Sequence, residues 1–268
     1  MREYKRMWEF KQSAEPSTLE IYIYGDIESD DYDWWTGAVI ESETSAKAFR
    51  KELEQHPDAT EIKLYINSYG GSVFEGTAIY SQLRRHPAHI TAYIDGFACS
   101  IASVIAMSAD KVIMPKNAMM MIHNAWQYAC GNAAELRKAA DDLDKINTGS
   151  MQAYLNKCKD KLPEDKLTEM LDAETWLTAA ECIEYGFADE YAEQDADMSK
   201  AAEVLQKANL NVQQRLNVQK SLMTQLRQIS EDIGNITAEP EPKEPPEPEP
   251  AENQAINFLS ALAQMGGK

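Results

Sequence analysis

Ser100, which lies shortly after an apolar strand, is one residue of this chain that could act as a nucleophile. The segment Ile90–Ile94 alternates as a strand, and Gly96 predicts a turn after it. Ser100 then opens a run of small residues that predicts a helix to Ala109. Unpaired N–H groups at a helix N-terminus favour a developing oxyanion, so a hydroxyl placed there is a candidate nucleophile. Taken alone, the segment fits an ordinary helix-capping serine better.

Paired glycines follow a second predicted strand. The segment Ile62–Ile66 reads as a strand and runs into Asn67–Gly71, which we interpret as a turn that leads into a helix. Glycines permit positive φ and leave N–H groups exposed, and such groups could hold a carbonyl oxygen. The adjoining strand edge could pair with an extended peptide. The alternative is an ordinary turn, although a helix rather than another strand follows it.

A histidine ends a third apolar segment. The strand predicted over Met119–Ile122 is followed directly by His123. A lone histidine in such a place is more often a buried structural residue than a general base. We assign structural roles to the other three histidines, His56 in a surface turn, His86 at a helix end and His89 at a strand start.

The order of these features, and a fourth pattern after them, is more specific than any one alone. Residues 174–189 read ETWLTAAECIEYGFAD, an acidic residue, an aromatic-aliphatic-small step and then an E-x-x-x-x-G-x-x-D pattern. From about Leu19 to Asp189 the chain resembles the proteolytic subunit of the Clp-type ATP-dependent serine proteases. More specifically, it is similar to their phage relatives, the head maturation (prohead) proteases.

This resemblance implies a role for each of the motifs. Ser100 would be the nucleophile, and His123 the general base that takes its proton and later protonates the leaving amine. The backbone N–H groups of Gly71 and Ile101 would form the oxyanion hole. The implied reaction is peptide hydrolysis through an acyl-enzyme, with no cofactor and no metal.

Three positions depart from the family. The acid that orients the histidine is an aspartate in the family, whereas Glu174 stands here; we assign it that role, with Asp172 as the alternative. Ile101 replaces a small residue after the nucleophile but keeps its N–H group. Cys99 precedes the nucleophile where the family has a small residue. Adjacent helical residues point about 100° apart, so we interpret Cys99 as a packing residue.

Strand and helix alternate along the first 190 residues, which predicts an α/β fold with largely parallel pairing. The resemblance implies a Clp protease/crotonase-like ββα superhelix with a C-terminal helical tail. The predicted strands are Leu19–Tyr24, Ile62–Ile66, Ile90–Ile94, Lys111–Met114 and Met119–Ile122, and the predicted helices are 45–55, 72–85, 133–156, 164–171 and 179–185.

Composition excludes several classes of protein. Among 268 residues there are 26 Lys and Arg against 44 Asp and Glu, a net charge of −18, which argues against nucleic acid or an anionic membrane as a partner. No apolar run approaches the roughly 18 residues of a membrane span. The four cysteines lie far apart, which fits a reducing compartment and not a zinc site. With no signal peptide in the sequence, we expect a protein of the host-cell cytoplasm, with the interior of the phage procapsid as the alternative location.

The C-terminal quarter differs from the rest. We predict a protease domain over residues 1–195, an amphipathic helix or coiled coil over 196–237 and a Pro/Glu-rich disordered linker over 238–252. A short amphipathic tail would follow over 253–268. This region could direct the protein into a capsid precursor, or it could be a solubilising tail.

The resemblance also implies partners for the protein, and two alternative functions stay open beside it. It implies a homo-oligomeric ring that acts on polypeptides, here capsid or scaffold proteins, and it leaves an ATPase partner open. The first rival is a non-proteolytic capsid-assembly module on the same fold, which the glutamate at position 174 favours. The second is an acyl-CoA hydratase or isomerase with the same ββα architecture, whose chemistry needs no serine–histidine pair at these positions.

Overall fold

The computed structural model describes residues 8–13, 17–33 and 35–195. The chain divides into two compact units, Met1–Gln213 and Gln214–Lys268. The second unit lies outside the described residues, as do the predicted helix or coiled coil, linker and tail, so these domain boundaries stay predictions. The described residues all belong to the first unit.

A mostly parallel sheet forms the centre of the fold. The strands are β1 Trp8–Gln12, β2 Thr18–Ile27, β3 Asp31–Tyr32, β4 Val39–Ile40, β5 Glu61–Gly71, β6 His89–Cys99, β7 Lys111–Met114, β8 Met119–Ile122, β9 Thr175–Thr178 and β10 Glu190–Tyr191. Eight of these strands join in the order β1-β2-β5-β6-β7-β10, with β8 beside β6 and β9 beside β8, while β3 and β4 form a separate hairpin. Pairing in the large sheet is parallel except for β1–β2 and β8–β9. The predicted α/β class with largely parallel pairing is confirmed.

Six α-helices accompany the sheet in the described part of the chain. They are α1 Ala46–Leu53, α2 Val73–Arg85, α3 Ile101–Ala106, α4 Ala133–Cys158, α5 Glu164–Asp172 and α6 Ala179–Tyr185. Side-chain caps start several of them; for example, the Asn132 carboxamide accepts from the amides of Ala134 and Glu135 at α4. Gly186 ends α6 in the left-handed conformation, at φ 87°. No helix among the described residues is long and apolar enough to cross a membrane.

The two faces of the sheet differ in character. Alternate residues of the central strands, such as Ile62, Leu64 and Ile66, are fully buried in a single apolar core. Partly exposed tyrosines form a row on neighbouring strands, where the Tyr65 ring stacks on the Tyr22 ring at 4.7 Å and on the Tyr93 ring at 5.1 Å.

Two predicted turns are wrong, because strands continue through them. Strand β5 includes Asn67–Gly71, and β6 runs past Gly96 to Cys99. Pairing between the two strands shifts register after Ile66 instead of stopping. The buried hydroxyl of Ser68 supports this irregular stretch, since it donates to Gly25 O at 2.5 Å and accepts from Gly70 N at 3.0 Å. Side-chain hydrogen bonds thus replace ladder bonds that a regular strand would make.

Helix α4 is the longest element in the described part of the chain, about 39 Å at 1.5 Å per residue. Its first two-thirds are mostly exposed, and burial is concentrated near its end, at Ala153, Tyr154 and Cys158. The ammonium of Lys157, almost fully buried, anchors that end by pairing with Asp189 Oδ2 at 2.7 Å. Among the described residues, the buried contacts of α4 with the core are therefore concentrated at its C-terminal end.

Candidate active site

Ser100 lies where β6 gives way to α3. Its backbone has φ 54° and ψ −130°, a conformation that L-residues rarely adopt. The amide of Ser100 donates to Met121 O at 2.8 Å, which ties this junction to the end of β8. Because α3 has only six residues, the helix dipole expected from the sequence is small, and individual N–H groups matter more.

His123 meets Ser100 because their strands are neighbours. Strands β6 and β8 pair in parallel, with Cys99 opposite Met121, so both carboxyl ends reach the same edge of the sheet. The Ser100 hydroxyl lies 2.8 Å from Nε2 of His123, and the histidine side chain is 7% exposed. With the proton of the neutral imidazole on Nδ1, Nε2 can accept the serine proton.

The carboxylate of Glu174 approaches the opposite side of the imidazole. Strands β8 and β9 run antiparallel with Ile122 opposite Thr175, so the next residues outward, His123 and Glu174, are brought together. Oε1 of Glu174 lies 3.9 Å from Nδ1, an ion-pair distance longer than a hydrogen bond, and the Glu174 side chain is 65% exposed. Its φ of 50° again places a non-glycine residue in the left-handed region.

The alternative acid, Asp172, has a different contact. It is the last residue of α5, and its Oδ1 accepts a hydrogen bond of 2.7 Å from the carboxamide of Asn124. That bond links α5 to the segment just after His123. Of the two acids, Glu174 is the one with an ion-pair contact to the histidine.

The two predicted oxyanion donors lie on adjacent segments. A Cβ built on Gly70 would lie 2.8 Å from the Ser100 Cβ and 3.3 Å from the Ile101 amide nitrogen, so the end of β5 passes directly beside Ser100. Gly71 follows with φ 145°, and a Cβ there would lie 2.1 Å from Ile27 O. Only glycine fits this approach. The Ile101 side chain extends away to α2, against Gly76.

Cys99, next to Ser100 in the chain, is fully buried. It packs in a small cluster with Phe97 and Met121, and burial raises the pKa of its thiol well above the usual range. A thiol held in its protonated form is a poor nucleophile. The packing role predicted for Cys99 agrees with this position.

Two residues near Ser100, Ser103 and Tyr154, are not predicted from the sequence. The hydroxyl of Ser103 bonds to the Ser100 carbonyl oxygen and to the Tyr154 hydroxyl. Ser103 follows Ser100 at helical spacing, which is a weak local indication of a contact, while Tyr154 lies far along the chain in α4. Among the described residues, no three His, Cys, Asp or Glu side chains gather as a metal site would require.

Comparison with known proteins places this arrangement in a family. A sequence model for the family described as Clp protease matches residues 37–195. The chain belongs to the Clp protease family. It is 30% identical over 166 residues to the ATP-dependent Clp protease proteolytic subunit of Deinococcus radiodurans, a match that covers 60% of this chain and 79% of that protein.

Other members of the Clp protease family match over similar regions. Proteolytic subunit 3 of Streptomyces coelicolor is 32% identical over 152 residues, which is 56% of this chain and 69% of that protein. Proteolytic subunit 1 of Mycobacterium tuberculosis is 32% identical over 132 residues, which is 48% of this chain and 64% of that protein. The family expected from the motifs is therefore confirmed, and its fold is the α/β fold described above.

Proposed function

We propose that this protein is a serine endopeptidase of the Clp proteolytic-subunit type. Ser100 is the nucleophile, His123 the general base, and Glu174 the acid that orients the imidazole. The observation that carries the proposal is the 2.8 Å contact between the Ser100 hydroxyl and Nε2 of His123 in a member of the Clp protease family. The names of the relatives, which describe proteolytic subunits, support the same activity.

Peptide hydrolysis would proceed in two halves. Nε2 of His123 takes the Ser100 proton as Oγ attacks the scissile carbonyl, and the resulting oxyanion accepts hydrogen bonds from the amides of Gly71 and Ile101. The imidazolium then protonates the leaving amine, which leaves an acyl-serine. Water, activated by the same imidazole, hydrolyses this ester and restores the free hydroxyl. Each oxyanion donor typically contributes roughly 100- to 1,000-fold to the rate.

Glu174 and Asp172 differ in how readily each could orient the imidazole. Glu174 carries its charge 3.9 Å from Nδ1, and a small rotation of its exposed side chain would bring it into hydrogen-bond range. Asp172 would have to release Asn124 to serve instead. Glu174 is therefore the better candidate.

The proposal extends to the oligomeric state of the protein and to its substrates. We infer that the chain forms a homo-oligomeric ring that cleaves polypeptides, specifically capsid or scaffold proteins of a phage head. The exposed first part of α4, which carries Leu136, and the exposed apolar side chain of Tyr128 just before that helix support burial against other copies. The residues beyond 195 would direct the protease into the capsid precursor, and no ATPase is required by the proposal.

Labelling with a serine-directed fluorophosphonate tests the enzyme class. The wild-type chain should be labelled, Ser100→Ala should not, and His123→Ala should react at least about 10,000-fold more slowly. Cys99→Ala is the matched control, since it changes the adjacent side chain and should keep the label. A wild-type chain that resists labelling while correctly folded would favour the non-proteolytic capsid-assembly module, which the 3.9 Å acid contact also fits.

Co-expression with candidate capsid and scaffold proteins tests the substrate. Mass spectrometry should find fragments that appear with the wild-type chain and disappear with Ser100→Ala. A chain truncated at about Glu193 should keep peptidase activity and lose incorporation into particles. Unchanged incorporation would refute the targeting role of the C-terminal residues.

A further inference from the structure

The carbonyl oxygen of Ser100 is held by a buried chain of hydroxyl groups. It accepts a 2.5 Å hydrogen bond from Ser103 Oγ and a 3.0 Å bond from the Ser103 amide. Ser103 Oγ is in turn 2.7 Å from the hydroxyl of Tyr154. Ser103 and Tyr154 are both buried, and the Tyr154 ring lies edge-on to Phe187 with centroids 5.6 Å apart.

The direction of the hydrogen bonds in this chain is determined by proton count. A serine hydroxyl has one proton, and that of Ser103 goes to the Ser100 carbonyl. Tyr154 must therefore be the donor in the contact between the two hydroxyls. Burial raises the pKa of the Tyr154 phenol, which keeps its proton in place. The sequence of donors is Tyr154, then Ser103, then the backbone at Ser100.

The held carbonyl belongs to the same peptide group as the Ile101 amide. A trans peptide is planar, and its C=O and N–H bonds point in opposite directions. Fixing the Ser100 carbonyl therefore also fixes the direction of the Ile101 N–H. The need for such a restraint is clear from the backbone, because Ser100 occupies a conformation that an unrestrained serine rarely adopts.

We propose that Ser103 and Tyr154 are positioning residues that aim the Ile101 amide at the oxyanion. This inference rests on the proposed peptidase activity and extends it to two residues that touch no substrate. It also connects the site to α4, since Tyr154 lies at the anchored end of that helix. The two hydroxyl groups fix the orientation of the peptide group between Ser100 and Ile101. They do not position the Ser100 hydroxyl or the imidazole of His123.

Steady-state kinetics of Ser103→Ala and Tyr154→Phe test the proposal. A fluorogenic peptide amide, chosen from a library by wild-type turnover, is the substrate, and rates are divided by the concentration of folded, assembled protein. We expect kcat to fall about 10-fold in Ser103→Ala and about 3-fold in Tyr154→Phe, with KM unchanged. These effects are below the roughly 100-fold loss of a whole oxyanion donor because the Ser103 amide still holds the carbonyl. Inactivation by diisopropyl fluorophosphate should slow by the same factors.

Matched variants separate positioning from stability. Ser108 lies just beyond α3, is equally buried and has no hydrogen-bond partner for its hydroxyl among the described residues, so Ser108→Ala should leave kcat unchanged. Tyr80→Phe, on α2, is the control for the tyrosine. The double variant of Ser103 and Tyr154 should lose no more than Ser103→Ala alone, because the two groups act in series. Ser103→Thr, which keeps the hydroxyl, should restore most of the rate.

Three results would overturn the inference. One is an unchanged kcat in both single variants, the second is a loss confined to KM, and the third is an equal loss of kcat in the Ser108 and Tyr80 controls. Failure of the underlying peptidase proposal would look different, because the wild-type chain would then itself show no turnover that depends on Ser100.

Discussion

Removal of the charge on Glu174, the proposed orienting acid, should lower the rate of peptide hydrolysis only modestly. Two unit charges 3.9 Å apart attract by about 1 kcal/mol in water and about 4 kcal/mol at an effective dielectric of 20. The side chain is 65% exposed, so the lower figure applies to the imidazolium that forms in the transition state. An energy of about 1 kcal/mol corresponds to a five- to tenfold change in rate. By contrast, replacement of a buried, hydrogen-bonded triad aspartate by asparagine costs about 10,000-fold.

The assay compares kcat/KM of Glu174→Gln with that of the wild type at low and high salt. Glutamine has nearly the same size and shape as glutamate but carries no charge. Both are non-glycine residues, so the left-handed backbone at position 174 is equally strained in the variant. At low ionic strength we expect kcat/KM of the variant to be five- to tenfold below that of the wild type. In 1 M NaCl, where the Debye length is about 3 Å, the two values should become nearly equal. Glu184→Gln, an exposed glutamate on α6, is the control and should change nothing.

A larger, salt-insensitive loss would refute this reasoning. If Glu174→Gln lost 1,000-fold or more at every salt concentration, the working enzyme would hold the carboxylate in a desolvated hydrogen bond to the imidazole. If instead Asp172→Asn had the larger effect, the acid would be the residue now bonded to Asn124.

Three further predictions concern stability and reactivity. Gly71→Ala should lower the free energy of unfolding by at least about 2 kcal/mol in urea titrations and abolish fluorophosphonate labelling, because the added methyl group meets a β2 carbonyl at 2.1 Å. Iodoacetamide should modify the exposed Cys130 and leave the buried Cys99 unmodified until denaturant is added, as intact mass would show; native modification of Cys99 would contradict its burial. Lys157→Met should destabilise by about 2 kcal/mol in thermal unfolding, whereas Lys166→Met, which removes an exposed pair, should change stability by less than about 1 kcal/mol; equal effects would contradict the assigned anchor.

Much of the site was accessible from the sequence because its parts follow strand ends. Ser100 comes directly after β6 and His123 directly after β8, and the carboxyl ends of neighbouring parallel strands meet at one edge. The order of the motifs carried the resemblance to the Clp family, and that resemblance predicted Ser100 and His123 as partners. The parallel pairing of β6 with β8 explains why the two residues meet.

The local errors have a common physical cause. Glycine at position 96 and the pair after Ser68 indicate turns by local preference, yet both stretches remain in strands. Their conformation is decided by partners distant in the chain, such as the Gly25 carbonyl that accepts from Ser68 and the Asn67 side chain that accepts from the Phe97 amide. The contact between Ser103 and Tyr154 was missed for the same reason, since it depends on where α4 ends.

The contact between Ile101 and Gly76 has a consequence for how this site can change. A Cβ on Gly76 would lie 2.2 Å from Cγ1 of Ile101, so the Ile101 side chain of α3 occupies the space that a side chain at position 76 of α2 would need. Glycine within a helix lowers stability by about 1 kcal/mol relative to alanine. The bulky side chain of Ile101 fits only because position 76 is glycine. Neither position is then independently variable. Any lineage or design that enlarges the residue on α2 has to shrink its counterpart on α3 in the same step, or displace the amide on which the oxyanion would rest.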